Sequence, residues 1–233
     1  MKVIILMADR CSSTSVAASM EFLETANVIH QYLLKSQPVN TKDAAPLFEL
    51  ETASMTGKSI TSTGGLILTP QSSVTSITPS GSHLETNLST DLETHLGTDL
   101  ETRLAAHTPR LIIVPGFMFN ILNELPKLEH MCNWLKEQHD KGDYIANICT
   151  GAFVSAQAGL LEHKRATTHW LFSEQFQRAF PNTKLQTERT VTDDGLVLCS
   201  GGSTSSADLL IHLIRKFGSP QLAAECAKKL LVS

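Results

Sequence analysis

No apolar run in this 233-residue chain approaches the roughly 20 residues that a membrane-spanning helix needs, so a membrane protein is not expected. Positive charge is not in excess either: the formal net charge is −4 and the lysines and arginines are dispersed. A nucleic-acid surface needs a concentrated basic patch to neutralise phosphates, so direct nucleic-acid contact by this chain is not expected. The five cysteines, Cys11, Cys132, Cys149, Cys199 and Cys226, lack the close pairs of a zinc site or a small disulfide scaffold. They fit a reducing cytoplasm. Nine histidines, among them His83, His95, His107, His130 and His139, show no HExxH spacing, so no metal is expected. The pairs Gly64-Gly65 and Gly201-Gly202 stand alone and form no phosphate loop, and no cofactor is expected. The opening Met1 to Ala8 has the charge and apolar run of a weak signal peptide, but the run is too short and Asp9-Arg10 interrupts it.

What is present is a regular alternation. Val3 to Ala8 reads as a buried strand, and Ser15 to about Leu34 carries Val16, Met20, Leu23, Ala26, Ile29 and Leu33 at helical spacing. Leu47 to Leu50 and Leu66 to Leu68 are strand candidates across a Gly-containing stretch. Arg110 to Gly116 predicts a strong strand, Leu122 to Lys141 a helix, Tyr144 to Ile148 a strand, and Thr150 to Leu161 a small-residue helix. A helix from about His169 to Phe180 follows, then a hairpin, Glu188 to Thr192 and Leu196 to Cys199, turning at Asp193-Asp194-Gly195. Two helices, Ser203 to Phe217 and Pro220 to Leu231, close the chain. Such β-α-β-α order predicts an α/β fold with a mainly parallel sheet and helices on both faces. A single domain over 1–233 accounts for every stretch.

One segment departs from that order. Residues 71–107 are rich in Ser and Thr and then repeat every eight residues: His83-Leu-Glu-Thr-Asn-Leu-Ser-Thr90, Asp91-Leu-Glu-Thr-His-Leu-Gly-Thr98, Asp99-Leu-Glu-Thr-Arg-Leu104. Leucines every four residues drift by roughly 40° per step on a helix, so their stripe winds around it. Three such repeats cannot build a core, and an exposed insertion is the simpler expectation than a docking helix.

Ile145-Ala-Asn-Ile-Cys-Thr-Gly-Ala-Phe153 carries the chemistry: an apolar strand runs into a cysteine and then into a helix of small residues. This is the pattern of a nucleophile elbow, which lifts the thiol out of the sheet's carboxyl edge, where open α/β sheets bind ligands. Backbone N–H groups at the start of the following helix are expected to lower the thiol pKa. A lone cysteine is more often structural than reactive. Its neighbours argue otherwise.

Ile148-Cys-Thr-Gly-Ala-Phe153, Ala158-Gly-Leu-Leu161 and Arg165-Ala-Thr-Thr-His-Trp170 together resemble the elbow and His segment of the ThiJ/PfpI superfamily, which is itself similar to class I glutamine amidotransferases. The likeness runs from about Arg110 to Leu231 and is greatest to the N-terminal part of AraC-type transcriptional regulators and to isonitrile hydratases. It implies a flavodoxin-like three-layer sandwich, a homodimer, and a pocket holding Cys149 and His169. His169 would orient the thiol or act as a general base. Thr150 would offer its N–H to an oxyanion and its hydroxyl to a ligand. Trp170, Met118 and Phe119 are candidate apolar walls of a small-molecule site, and each reads equally well as ordinary core.

Two departures from the family pattern bear on turnover. Many members carry an Asp or Glu near the end of the first βα loop, where this chain has Ser15. Asp9 ends the strand too early to replace it, and Glu21 lies about two turns into the helix. The family often has Pro-Gly-Gly where this chain has Pro115-Gly116-Phe117, so Phe117 adds bulk on the oxyanion side. Hydration chemistry needs a group to hold a proton or activate water. The expectation is therefore a sensor domain, related to the regulatory domain of AraC-type regulators, with Ser15, Gly116, Phe117 and Trp170 around its ligand. A DNA-binding pair is not expected within residues 1–233, since the basic helices that such a pair needs do not follow Lys229 in this sequence. A cysteine-dependent hydratase or amidase acting on a small electrophile is the alternative.

Overall fold

The computed structural model describes residues 1–35, 45–76, 107–117, 120–202 and 205–230. The expected repeat at 83–104, with Met118, Phe119 and Ser203, lies outside them. Strand β1 (Lys2–Met7) is apolar on both faces because it lies inside the sheet, with Val3 to Leu6 fully buried. Helix α1 (Ser13–Lys35) follows and buries Val16, Leu23 and Ala26, three of the residues expected from the helical spacing. Asn27 on this helix ties it to the next strand by accepting the Phe48 N–H and donating to the Phe48 carbonyl, both at 2.8 Å.

Strand β2 (Glu49–Ser54) pairs in parallel with β1. It starts later than the apolar stretch 47–50 suggests and runs on through Glu51 and Thr52. A short hairpin, β3 (Ile60–Thr61) with β4 (Ile67–Leu68), folds over the turn after β1, where Asp9 Oδ1 accepts the Thr61 N–H at 2.8 Å. Strand β5 (Ser72–Ser73) then pairs with β2 at the sheet edge. Residues 71–76, expected to open the insertion, thus belong to the sheet margin.

Strand β6 (Leu111–Val114) is wholly buried between β1 and β7 (Tyr144–Asn147). The expected helix over 122–141 is broken: α2 (Ile121–Glu124) passes through a 3-10 turn at Leu125–Leu128 into α3 (Glu129–Asp140). Pro126 explains the break, since it lacks the N–H that a continuous helix requires. At the base of β6 the fully buried Asp143 accepts from the Arg110 N–H, from Arg110 Nε and Nη2 and from His107 Nε2, which pins the chain where it re-enters the sheet.

Helix α4 (Gly151–Gln157) is shorter than 150–161, because the chain turns at Gly159 with φ +77°. Two-residue strands β8 (Arg165–Ala166) and β9 (Lys184–Leu185) pair beside the main sheet. Between them a 3-10 turn at Trp170–Phe172 leads into α5 (Ser173–Ala179), which replaces the single helix expected over 169–180. The expected hairpin is β10 (Val191–Asp194) and β11 (Val197–Ser200), which among the described residues is the one antiparallel pair of the large sheet. Helices α6 (Ser205–Phe217) and α7 (Pro220–Leu230) complete the chain and pack on α1. Strand order β10-β11-β7-β6-β1-β2-β5 gives a seven-stranded, mostly parallel sheet, a flavodoxin-like α/β fold.

Candidate functional site

Strand β7 ends at Asn147, and the chain turns so sharply that Cys149 takes φ +56°, a left-handed conformation that costs a non-glycine residue about 1–2 kcal/mol. The turn is held from several sides. The Cys149 N–H donates to the Ser200 carbonyl at 3.2 Å, and the Cys149 carbonyl accepts from Thr168 Oγ1 at 3.1 Å. Beneath it, Asn147 accepts from Ser155 Oγ and donates to the Leu198 carbonyl. A β-carbon on Gly151 would stand 2.7 Å from the Val114 carbonyl and 2.8 Å from that of Pro115. Only glycine lets α4 start so close to β6.

The loops after β1 and β6 meet at this turn. Cys11 and Phe117 form an antiparallel bridge, and the Ser12 N–H donates to the Gly116 carbonyl at 2.7 Å. Gly116 sits between Ser15 and Cys149: a β-carbon there would lie 3.3 Å from Cys149 Cβ and 3.5 Å from Ser15 Oγ. The Ser15 hydroxyl is buried and accepts the Gly116 N–H over a long 3.4 Å. Ser15, Gly116 and Cys149 therefore converge, as the sequence suggests.

Thr150 and Phe117 behave differently from expectation. Thr150 Oγ1 accepts the Phe117 N–H at 2.7 Å and donates to the Phe117 carbonyl at 2.5 Å. Its hydroxyl is thereby committed to the loop and is not offered to a ligand. The Phe117 ring packs into the core, so the bulk expected beside the oxyanion position is buried, while its N–H is already taken.

Electrostatics at the thiol also reverse one expectation. Burial pushes the Cys149 pKa above its ordinary value, and the Thr150 N–H with the neighbouring Thr150 side chain pulls it back only in part. Among the described residues no ionised side chain contributes. The start of α4 does favour the thiolate, but it is outweighed because Cys149 is 8% exposed. The other four cysteines share this direction, and burial drives Cys132, Cys199 and Cys226 up to about 11.

His169 is half-buried beside the elbow, since its neighbour Thr168 is bonded to Cys149. Its Nδ1 accepts the Leu171 N–H at 3.2 Å, capping the 3-10 turn. A neutral ring so engaged carries its proton on Nε2, which faces Gly202: a β-carbon on Gly202 would be 4.0 Å from it. Nε2 is thus a donor. No hydrogen bond joins His169 to Cys149 among the described residues. Trp170 stacks on His169 with ring centroids 5.8 Å apart and is 69% exposed, which places it at the outer surface. The roles of Ser200, Thr168 and Gly202 at the turn escaped the sequence reading, because they arise from long-range placement, although Thr168 lies in the His segment. Gly151 was legible as a small residue closing the turn. Among the described residues no group of three His, Cys, Asp or Glu could hold a metal, and no helix is long and apolar enough to cross a membrane.

A parallel α/β sheet with a left-handed cysteine at the end of a central strand and a histidine segment beside it defines a class of elbow-bearing α/β domains. The chain belongs to the DJ-1/PfpI family, whose description matches residues 1–216. It is similar to the HTH-type transcriptional regulator CdhR of Pseudomonas aeruginosa, with 34% identity over 102 residues, 44% of this chain and 30% of that protein. It is also similar to isonitrile hydratase of Pseudomonas putida, with 30% identity over 106 residues, 46% of this chain and 44% of the hydratase. The chain thus covers less than half the length of these curated relatives. In fold it resembles the crystal structure of an AraC family transcriptional regulator from Pseudomonas putida, with a TM-score of 0.65, 20% identity and 98% of both chains covered.

Proposed function

We propose that this domain is a small-molecule sensor in which Cys149 marks the binding pocket and does not act as a nucleophile, and that it reports occupancy to a DNA-binding unit. The observation that carries the reading is the Cys149 thiol, raised by burial and without an ionised partner. Cysteine chemistry depends on the thiolate, and a site that stabilises the thiol favours binding over turnover. Ser15 stands beside Gly116 and Cys149 with a hydroxyl that carries no charge at neutral pH. His169 Nε2, as a donor, suits a ligand with a carbonyl or carboxylate acceptor. The similarity to HTH-type regulators supports the transcriptional setting. A cytoplasmic location, consistent with five free buried cysteines, and a homodimer, as the family resemblance implies, belong to the same proposal, as does one domain spanning 1–233.

The second reading, a cysteine-dependent hydratase, is favoured by the left-handed elbow at Cys149 and by the likeness to isonitrile hydratase. A thermal-shift screen of small carboxylates and amides, run on the wild type and on Cys149→Ala alongside a turnover assay with isonitriles, separates the two. The sensor reading expects a ligand that still shifts the melting of Cys149→Ala, with no turnover by either protein. Turnover that Cys149→Ala abolishes would contradict it.

A further inference from the structure

Far from the elbow, a concavity of about 880 Å³ runs along α1, the start of β2 and the last turn of α7. Its floor is apolar, built by Met20, Ile29, Phe48 and Leu50. Val28 lines it while 61% exposed, and Tyr32, one turn further along α1, is exposed as well. Glu21, Glu24 and Glu49 line it against one cation, Lys229.

We infer that this groove docks an amphipathic helix with basic flanks from a partner protein, and that it is the output surface of the sensor. The inference rests on the sensor reading for its purpose, and on the groove alone for its occupant. Two features select that occupant. The length of α1 along the groove, Met20 to Gln31, is about 16 Å at 1.5 Å per residue, which accommodates about three turns of a helix. The carboxylates exceed the lining cation, so a basic flank is complementary.

A rigid element links this surface to the pocket. Gly202, beside His169, precedes α6 by a few residues, and α6 runs for 13 residues, about 20 Å. At its far end Gly218 packs so closely that a β-carbon would lie 3.0 Å from both Leu47 and Leu222. Leu47 adjoins Pro46 and Phe48 of the groove wall, and Leu222 belongs to α7. A ligand that moves the start of α6 would shift the groove's walls through these contacts.

The test uses the full chain and three fluorescein-labelled synthetic peptides of about 14 residues, ~21 Å as helices. One has leucine and lysine at helical spacing, one has glutamate for each lysine, and one is a scramble of the first. Fluorescence anisotropy should show the basic helical peptide binding at least about tenfold more tightly than the other two, roughly 1.4 kcal/mol. Glu21→Lys with Glu49→Lys, and separately Val28→Asp, should each weaken it by a similar factor while circular dichroism stays unchanged. Equal binding of the three peptides, or variants that bind as the wild type does, overturns the inference. So does sedimentation velocity in which Val28→Asp turns a dimer into a monomer, because the face would then be a self-interface. No small molecule enters this assay, so its failure leaves the pocket reading standing. Peptide binding without any ligand shift would instead remove the pocket reading alone.

Discussion

Thr150 shows at the scale of one residue how the elbow is built. Its hydroxyl serves both the N–H and the carbonyl of Phe117, so the loop after β6 is fastened to the turn after β7. Thr150→Val keeps the shape and leaves two buried backbone groups unpaired, and should destabilise by about 1–3 kcal/mol in urea unfolding, whereas Thr150→Ser should stay close to the wild type. Gly151 gives a second case in which two effects compete. Alanine would gain about 1 kcal/mol of helix propensity. Its β-carbon, however, would meet the Val114 carbonyl at 2.7 Å, and rigid backbone cannot yield cheaply. Gly151→Ala should therefore lower stability by about 1–3 kcal/mol, as overpacking does. Much of the site was legible at this scale: Cys149, Ser15 and Gly116 come together, and His169 lies alongside. What Thr150 and His169 do with their polar atoms was not legible, because the Phe117 backbone and the Leu171 N–H reach them only through the fold.

At the scale of elements, the hairpin of β10 and β11 is joined to α6 by Asp193, whose carboxylate accepts from His212 Nε2 at 2.8 Å and from Lys216 Nζ at 2.9 Å. Partial burial raises the Asp193 pKa, but its hydrogen bonds and charge interactions with Lys216 and His212 outweigh that and hold it below the ordinary 3.8. A carboxylate depressed in the folded state adds stability that is present above its unfolded pKa and is lost as pH falls through the folded one. The stability difference between wild type and Asp193→Asn, followed by urea unfolding, should shrink as pH falls below about 4. A difference that is unchanged well below pH 4 would contradict this. The long elements β1, α1, β6, β7, α6 and α7 were readable because burial imposes apolar runs or helical spacing on them. The two-residue strands were not, since two residues carry no periodicity. Strand β2 was displaced because it lies next to the sheet edge, where half-buried Glu51 and Thr52 break the apolar run.

For the whole molecule, the elbow and the groove lie toward opposite ends of α6. A binding domain needs neither a charged thiol nor a proton relay, only a shaped site whose occupancy moves something. Around Cys149 the Thr150 hydroxyl is bonded to the Phe117 backbone, and among the described residues His169 Nε2 has no hydrogen-bond partner. The central claim stands on the protonation state of Cys149 and can be measured directly. Iodoacetamide alkylation of Cys149, followed across pH by peptide mass spectrometry with the other buried cysteines as internal references, gives its pKa. The account predicts a midpoint on the alkaline side of a free thiol's ~8.5. A Cys149 already alkylated as thiolate at or below pH 7 would contradict it.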